Sequence, residues 1–301
     1  MKILITGATG LIGDRILQLC SKRGYRVHYL TTQKDKVKDN DALKGFYWNP
    51  KTKEIDINCL EGIDAVINLA GASVSKQWTS THKNEIESSR IDSIRLLYKL
   101  LYENKNQVQF FSSASALGIY PSSYEKEYIE TDNDINSSFL GNVVHKWEQE
   151  IDKIKDLNIG VSVLRIGIVL SKDGGALPEM IKPIKFGFGA AIGSGKQYQS
   201  WIHIEDLARM FLFVIEKKLS GTYNAVASNP VTNLEMTKAI AKLVQKPLWL
   251  PNIPNFVMKF MLGEMSALVL ESQYLKNDKV KNDHFQFKYK FIEEALEENL
   301  K

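Results

Sequence analysis

The order of apolar and polar segments predicts an α/β fold, a doubly wound parallel sheet followed by a smaller C-terminal lobe. Three observations carry this expectation. Short apolar runs at Lys2 to Thr6, Arg26 to Leu30, Asp64 to Leu69, Val108 to Ser113 and Val161 to Ile166 are separated by long helical stretches, and strands joined through crossover helices lie parallel. The intervening helices are amphipathic: Ile86, Ile91, Ile94, Leu97, Leu100 and Leu101 recur at helical spacing, as do Val143, Val144, Trp147, Ile151 and Ile154, so each has one apolar stripe to lay on a sheet. Past about residue 170 glycines crowd together (Gly174, Gly175, Gly187, Gly189, Gly193, Gly195) and the strand-helix rhythm breaks. Residues 1–170 therefore form the sheet domain, with 200–230 returning to it through a helix at Asp206 to Lys217 and a strand at Thr222 to Val226, and 171–301 are mainly a substrate-side lobe.

Composition narrows the function. The chain has 301 residues, 44% hydrophobic and 25% charged, with a net charge of +4. Its lysines are interspersed with acids, so there is no concentrated basic field for nucleic acid. The two cysteines, Cys20 and Cys59, exclude a disulfide framework, and neither has histidines at metal-ligand spacing; a reducing compartment and no metal follow. No apolar run reaches the ~18 residues of a membrane span, and the start lacks the features of a signal peptide. A cytoplasmic protein with no membrane partner is expected.

The first strand runs into Gly7-Ala8-Thr9-Gly10-Leu11-Ile12-Gly13 and then a helical pattern to about Arg23. In that strand-turn-helix context the first glycine allows the tight reversal, the second lets backbone approach a pyrophosphate, and the third lets helix pack on strand, with phosphate at the helix N-terminus. Gly7, Thr9, Gly10, Leu11, Ile12 and Gly13 are thus candidate dinucleotide contacts in a Rossmann-type domain. The second strand ends Leu30-Thr31-Thr32-Gln33-Lys34 with no acid before Asp35. A ribose 2′-phosphate would meet Thr32 and Lys34 rather than a repelling carboxylate, which favours NADP(H) over NAD(H); the alternative is that Lys34 and Lys36 form only a solvated loop.

Further blocks occur in order along nearly the whole chain: Asp64 to Gly71, Ser89-Arg90, Ser113 to Ala116 with Gly118 and Tyr120, Trp147-Glu148, Leu164 to Leu170, Asp173 to Gly175, Ser200 to Asp206, Asn229 to Asn233 and Leu262 to Glu264. In these the chain resembles the YfcH-like "epimerase family" branch of the atypical extended short-chain dehydrogenases/reductases, within the NAD-dependent epimerase/dehydratase-like superfamily, including a C-terminal segment like a domain of unknown function. The resemblance implies cofactor contacts from Leu69, Ala70, Gly71, Arg90, Ser113, Ile166 and Gly167, and a catalytic pocket holding Ser115, Arg90 and Tyr120. Counted back from Glu148, the lysine place of typical members falls on Val144 and the tyrosine place on Leu140, so the usual acid-base pair is absent.

Two readings stay open for most polar candidates. Arg90 either binds a carboxylate or phosphate in two-pronged fashion or pairs with an acid on a neighbouring helix. Ser115 either orders a carbonyl oxygen or caps a turn. His203 reads as a structural, satisfied histidine, Asp206 as the cap of the following helix, and His145 as solvated. Gly193 to Gln197 is either a lid carrying Lys196 or a plain loop. The function expected is an NADP(H)-dependent oxidoreductase acting on a small molecule, an anionic one if Arg90 or Lys196 meets it. The alternatives are a non-catalytic NADP(H) sensor or scaffold and, less favoured, a nucleotide-sugar epimerase. The helices Glu85 to Tyr102 and Gly141 to Lys155 are the kind that extended members use to dimerise, so the chain is expected to be a monomer or homodimer.

Overall fold

A computed structural model describes residues 1–40 and 42–300. In chain order the elements are β1 (Lys2–Thr6), α1 (Leu11–Lys22), β2 (Arg26–Thr31), β3 (Leu43–Asn49), β4 (Glu54–Ile55), β5 (Ala65–Asn68), α2 (Ser80–Glu103), β6 (Phe110–Ala116), β7 (Glu127–Tyr128), α3 (Phe139–Asp152) and β8 (Gly160–Ile166). They continue with β9 (Ile168–Leu170), α4 (Ala176–Lys185), β10 (Tyr198–Gln199), β11 (Trp201–His203), α5 (Ile204–Glu216), β12 (Gly221–Ala225), β13 (Val231–Thr232) and α6 (Asn233–Leu243). The last are α7 (Asn255–Leu262), α8 (Ala267–Leu270), β14 (Tyr274–Leu275), α9 (Asp278–Asn282) and α10 (Ile292–Leu300).

An eight-stranded sheet runs in the order β12-β8-β6-β5-β1-β2-β3-β4. β1 sits inside it, pairing in parallel with β2 on one side and β5 on the other, so that Ile3 lies between Val27 and Ala65. Ile3, Leu4 and Ile5 are completely buried, as a strand covered on both faces requires. The edge β3–β4 hairpin is not among the sequence-predicted strands: Lys44 and Gly45 interrupt the apolar pattern of Leu43 to Asn49. Gly45 is needed there because a Cβ would stand 2.6 Å from the Tyr29 hydroxyl. That hydroxyl donates to the Lys36 carbonyl at 2.6 Å and accepts from the Lys38 amide at 2.9 Å, pinning the chain that leaves β2. The long helices begin at hydroxyl caps, Thr79 for α2 and Ser138 for α3, each accepting a first-turn amide proton. Cys20 and Cys59 are free and buried, and burial pushes both thiols up to about 12.

The chain divides into two units. The first comprises Met1–Ala116, Ser138–Arg165 and Ala208–Tyr223; the second comprises Leu117–Ser137, Ile166–Leu207 and Asn224–Lys301. The segment 117–137, placed by sequence in the sheet domain, thus clusters with the second unit. That unit's core gathers Leu177, Ile181, Ile184, Met236, Ile240 and Leu296 with Trp201, beside the short parallel pair β9–β11.

Asp206 differs from its sequence-based assignment. It stands in the first turn of α5 rather than at the cap, and the residue before the helix does the capping, His203 Nδ1 accepting from the Glu205 amide at 3.1 Å. The fully buried Asp206 carboxylate instead accepts amide protons from Lys288 at 2.9 and 3.0 Å and from Tyr289 at 2.9 Å. These bonds tie the return segment before α10 to α5. Asp206→Ala strands buried amides, and urea denaturation is expected to register a loss on the order of 3 kcal/mol; an unchanged midpoint would show that the segment is held by its apolar contacts alone.

Candidate nucleotide-binding site

The turn after β1 is built around missing side chains. Gly7 has φ +66°, and a Cβ on it would stand 2.9 Å from the Leu69 carbonyl oxygen. A Cβ on Gly13 would lie 2.3 Å from the Gly7 oxygen and 2.6 Å from the Ala8 α-carbon, so only glycine lets α1 close on the turn. Gly10 is the N-cap residue, extended at φ −87°, ψ 172°, and no side chain caps the helix. The first-turn amides of Leu11 and Ile12 therefore point out of the helix end without a side-chain acceptor, and the dipole adds partial positive charge there. The fit to a dinucleotide pyrophosphate rests on this cradle: the space a Cβ would fill, next to uncapped amides.

Residues after β5 form a strap beside the cradle. The buried Thr6 hydroxyl donates to Asn68 Oδ1 at 2.7 Å and accepts from the Leu69 and Ala70 amides at 3.0 and 3.1 Å. Asn68 passes the chain of bonds to Ser113 Oγ at 3.1 Å, and Ser113 donates to the Ala114 carbonyl at 2.9 Å. Ser113 is thus buried and engaged in positioning the carboxyl ends of β1, β5 and β6. The Ala72 amide donates to Ser89 Oγ at 2.8 Å, fastening the strap to α2.

Arg90 lies against that strap. Its Nη1 donates to the Ile86 carbonyl at 2.8 Å and the Ala72 carbonyl at 3.2 Å, and its guanidinium carbon lies 5.2 Å from the Trp147 ring centroid. A Cβ on Gly71 would touch the guanidinium at 3.1 Å. Among the described residues no carboxylate pairs with it, so the neighbouring-helix ion pair is not the arrangement present. Burial alone pulls the guanidinium down to about 10, the mark of a charge that lacks a counter-ion.

Ser115 sits in the opposite electrostatic setting. Its hydroxyl donates to Glu148 Oε1 at 2.5 Å, and Glu148 is held bidentately by Arg165, with Nε to Oε1 at 2.9 Å and Nη2 to Oε2 at 2.8 Å. This largely buried triad joins β6, α3 and β8. Glu148 and Arg165 fall inside the family-like sequence blocks, but neither carries a role there, because ion pairing between a helix and a strand has no local signature.

The remaining candidates are distributed over both units. Thr32 is exposed after β2, and the Lys34 ammonium lies 4.9 Å from the centre of the Tyr47 ring on β3. Leu140 and Val144 follow one another at helical spacing on α3, Val144 buried. In the second unit, Tyr120 is fully buried, its hydroxyl 2.8 Å from Asn224 Oδ1 and 3.2 Å from the Ile129 carbonyl. Ile166 ends β8, and a Cβ on the adjacent Gly167 would meet the Ser200 carbonyl at 2.3 Å. The 193–197 segment is fastened: the Gly193 amide donates to Ile253 at 2.7 Å, and Gln197 Nε2 reaches the Ile192 and Val269 carbonyls at 3.0 and 3.1 Å. His145 is paired with Gln149 on the surface of α3.

Known proteins resemble this chain along most of its length. A family model described as NAD dependent epimerase/dehydratase family matches residues 3–226, and one described as a domain of unknown function (DUF1731) matches residues 253–298. The chain is 35% identical over 297 residues to Epimerase family protein YfhF of Bacillus subtilis, covering 98% of this chain and 97% of the relative. It is 34% identical over 298 residues to Epimerase family protein SAR0825 of Staphylococcus aureus, with 98% and 97% covered. Among solved structures it is similar to the human epimerase family protein SDR39U1 (isoform 2) with NADPH, at a TM-score of 0.85 and 26% identity over 99% of both chains. A nucleoside-diphosphate sugar epimerase from Corynebacterium glutamicum superposes at a TM-score of 0.80 and 27% identity, over 100% of this chain and 58% of that one.

Removing Glu148 tests the buried triad. Glu148→Ala leaves Arg165 without its carboxylate and is expected to cost about 3 kcal/mol in chemical denaturation, with Ser115→Ala costing roughly 1 kcal/mol. Equal, negligible losses would mean that the triad is not a structural tie.

Proposed function

The chain belongs to the NAD dependent epimerase/dehydratase family, and from that premise we propose that it is an NADP(H)-dependent oxidoreductase of the atypical extended short-chain dehydrogenase/reductase type. The observation that carries this reading is the Arg90 guanidinium, without a carboxylate partner beside the strap that borders the glycine cradle. A charge in that setting is stabilised when an anion arrives, and a dinucleotide brings phosphates to that end of the sheet. In this reading the Leu11 and Ile12 amides hold the pyrophosphate, Arg90 adds a formal charge, and Thr32 and Lys34 receive the 2′-phosphate. The NADPH in the human relative's structure supports the choice of cofactor.

When bound, the nicotinamide supplies or accepts the hydride. The chain's own groups position the cofactor and limit how a proton can move. Ser115 has its proton committed to Glu148, so toward a substrate it can only accept a hydrogen bond. Leu140 and Val144 offer no titratable group at the places where the resemblance expects tyrosine and lysine. Arg90 or ordered water is then left to supply the proton for a substrate oxygen, and the substrate is a small molecule, anionic if it shares Arg90. The same observations favour a second reading, a non-catalytic NADP(H) sensor, because a committed Ser115 and an apolar Leu140/Val144 pair also suit a site that only binds. Sugar epimerisation needs a proton handler at those places and ranks below both.

Fluorescence titration of cofactor-stripped protein with NADPH and NADH tests the proposal. Tighter binding of NADPH is expected, weakened roughly 10- to 100-fold by Arg90→Ala, the loss of charge-assisted bonds. Equal affinity for NADH would contradict the 2′-phosphate assignment, and absence of binding to either would remove both readings. Binding of NADPH without its oxidation by a panel of carbonyl compounds would favour the sensor.

A further inference from the structure

One face of the second unit combines exposed aromatic side chains with unpaired lysines. Phe260 is 90% exposed, Phe256 72%, Phe186 71%, Met261 68%, Trp249 67% and Phe188 65%. Exposure of one such residue is ordinary, whereas a cluster marks a surface that meets something. Phe256 and Phe260 stand one turn apart on α7, with Lys259 beside them and Met258 turned to the interior. The other aromatics belong to neighbouring segments. The Ile253 amide donates to the Ala191 carbonyl at 2.8 Å, and a Cβ on Gly189 would touch Leu248 at 2.7 Å, so the loop that follows α4 runs beside the one that leads into α7.

The charge on these segments is mostly positive, with Glu179 on α4 and Glu264 just past α7 as exposed acids. Between Glu235 and Glu264 the sequence contains Lys238, Lys242, Lys246 and Lys259 and no acid. All four are exposed, as are Lys182 and Lys185 on α4, which packs against α6. Among the described residues none of these six has a carboxylate partner. Some lysines elsewhere are paired, as Lys126, Lys146, Lys153 and Lys281 are.

We propose that this face docks the protein peripherally onto an anionic lipid surface, with α7 in the headgroup layer, Phe256 and Phe260 at the acyl boundary and the lysines on the lipid headgroups. Aromatic anchors with flanking cations are the chemistry of an interfacial helix. A second copy of the chain is a poor occupant, because a two-fold interface sets each patch against itself and brings the lysine clusters together. The contact is peripheral, since no helix among the described residues is long and apolar enough to cross a membrane. The sequence expectation of no membrane partner rested on spanning segments and does not address a surface of this kind.

Co-sedimentation of the full chain with vesicles tests the inference, using phosphatidylcholine alone or phosphatidylcholine mixed with phosphatidylglycerol. The protein is expected to sediment with the mixed vesicles only and to be released as salt rises. Neutralising charge with Lys242→Gln/Lys246→Gln/Lys259→Gln is expected to lower the partition coefficient by on the order of 100-fold, and Phe256→Ser/Phe260→Ser by at least about 10-fold. All five positions are exposed, so folding is retained, and the salt titration of the unaltered protein is an independent readout. Failure to sediment with anionic vesicles at low salt, or equal binding to neutral ones, would overturn the proposal. So would a concentration-dependent dimer in light scattering that Phe256→Ser/Phe260→Ser abolishes.

Discussion

Helix α1 can approach the end of β1 only because position 13 has no Cβ, which would otherwise sit 2.3 Å from the Gly7 carbonyl oxygen. That approach sets the rest of the first unit's upper edge. It aims the first-turn amides of α1 past Gly10, it requires the left-handed backbone at Gly7, and it brings Gly7 against Leu69 so that the strap after β5 must run alongside. Thr6 then serves both neighbours, bonding Asn68 and the two amides of the strap. The cradle is therefore a consequence of backbone packing as much as of any polar side chain, and a methyl group at either glycine would dismantle it.

Two arginines in the same unit show how environment assigns a role. Arg165 has its charge matched within the protein by Glu148, with Ser115 completing the set. Such a pair holds strand and helix in register and has little left to offer a ligand. Arg90 is given only two carbonyls and the face of an indole. Those contacts orient the guanidinium and partly solvate it without neutralising it, so the free energy of compensation is still available to an incoming anion. The proposal that Arg90 serves ligand binding while Arg165 serves structure rests on that difference.

Much of the first unit was legible in the chain because its signals are local. β1, α1, β2, β5 and β8 lie where β-branched runs, glycines and helical stripes put them, within a residue or two. The edge hairpin was not, since Gly45 and Lys44 disguise β3 and the reason for Gly45 is a tyrosine on the neighbouring strand. Contacts between residues distant in sequence were equally hidden. Asp206 looked like a cap because it is an acid near a helix start, yet its partners are amides at Lys288 and Tyr289. Tyr120 looked like a pocket residue, yet its hydroxyl is placed by Asn224 and Ile129. The basic stretch from Lys238 to Lys259 is readable in the chain, but the exposure of Phe256 and Phe260 on α7 is not, since apolar residues on a short helix read as core.

The central claim is that the glycine cradle and Arg90 together receive the phosphates of NADP(H), and a crystal structure of the protein grown with NADPH tests it most directly. The pyrophosphate is expected within hydrogen-bond distance of the Leu11 and Ile12 amides, a phosphate oxygen in reach of the Arg90 guanidinium, and the 2′-phosphate beside Lys34. A nucleotide bound with Arg90 still turned only to the Ile86 and Ala72 carbonyls, or bound away from Gly7 to Gly13, would contradict it.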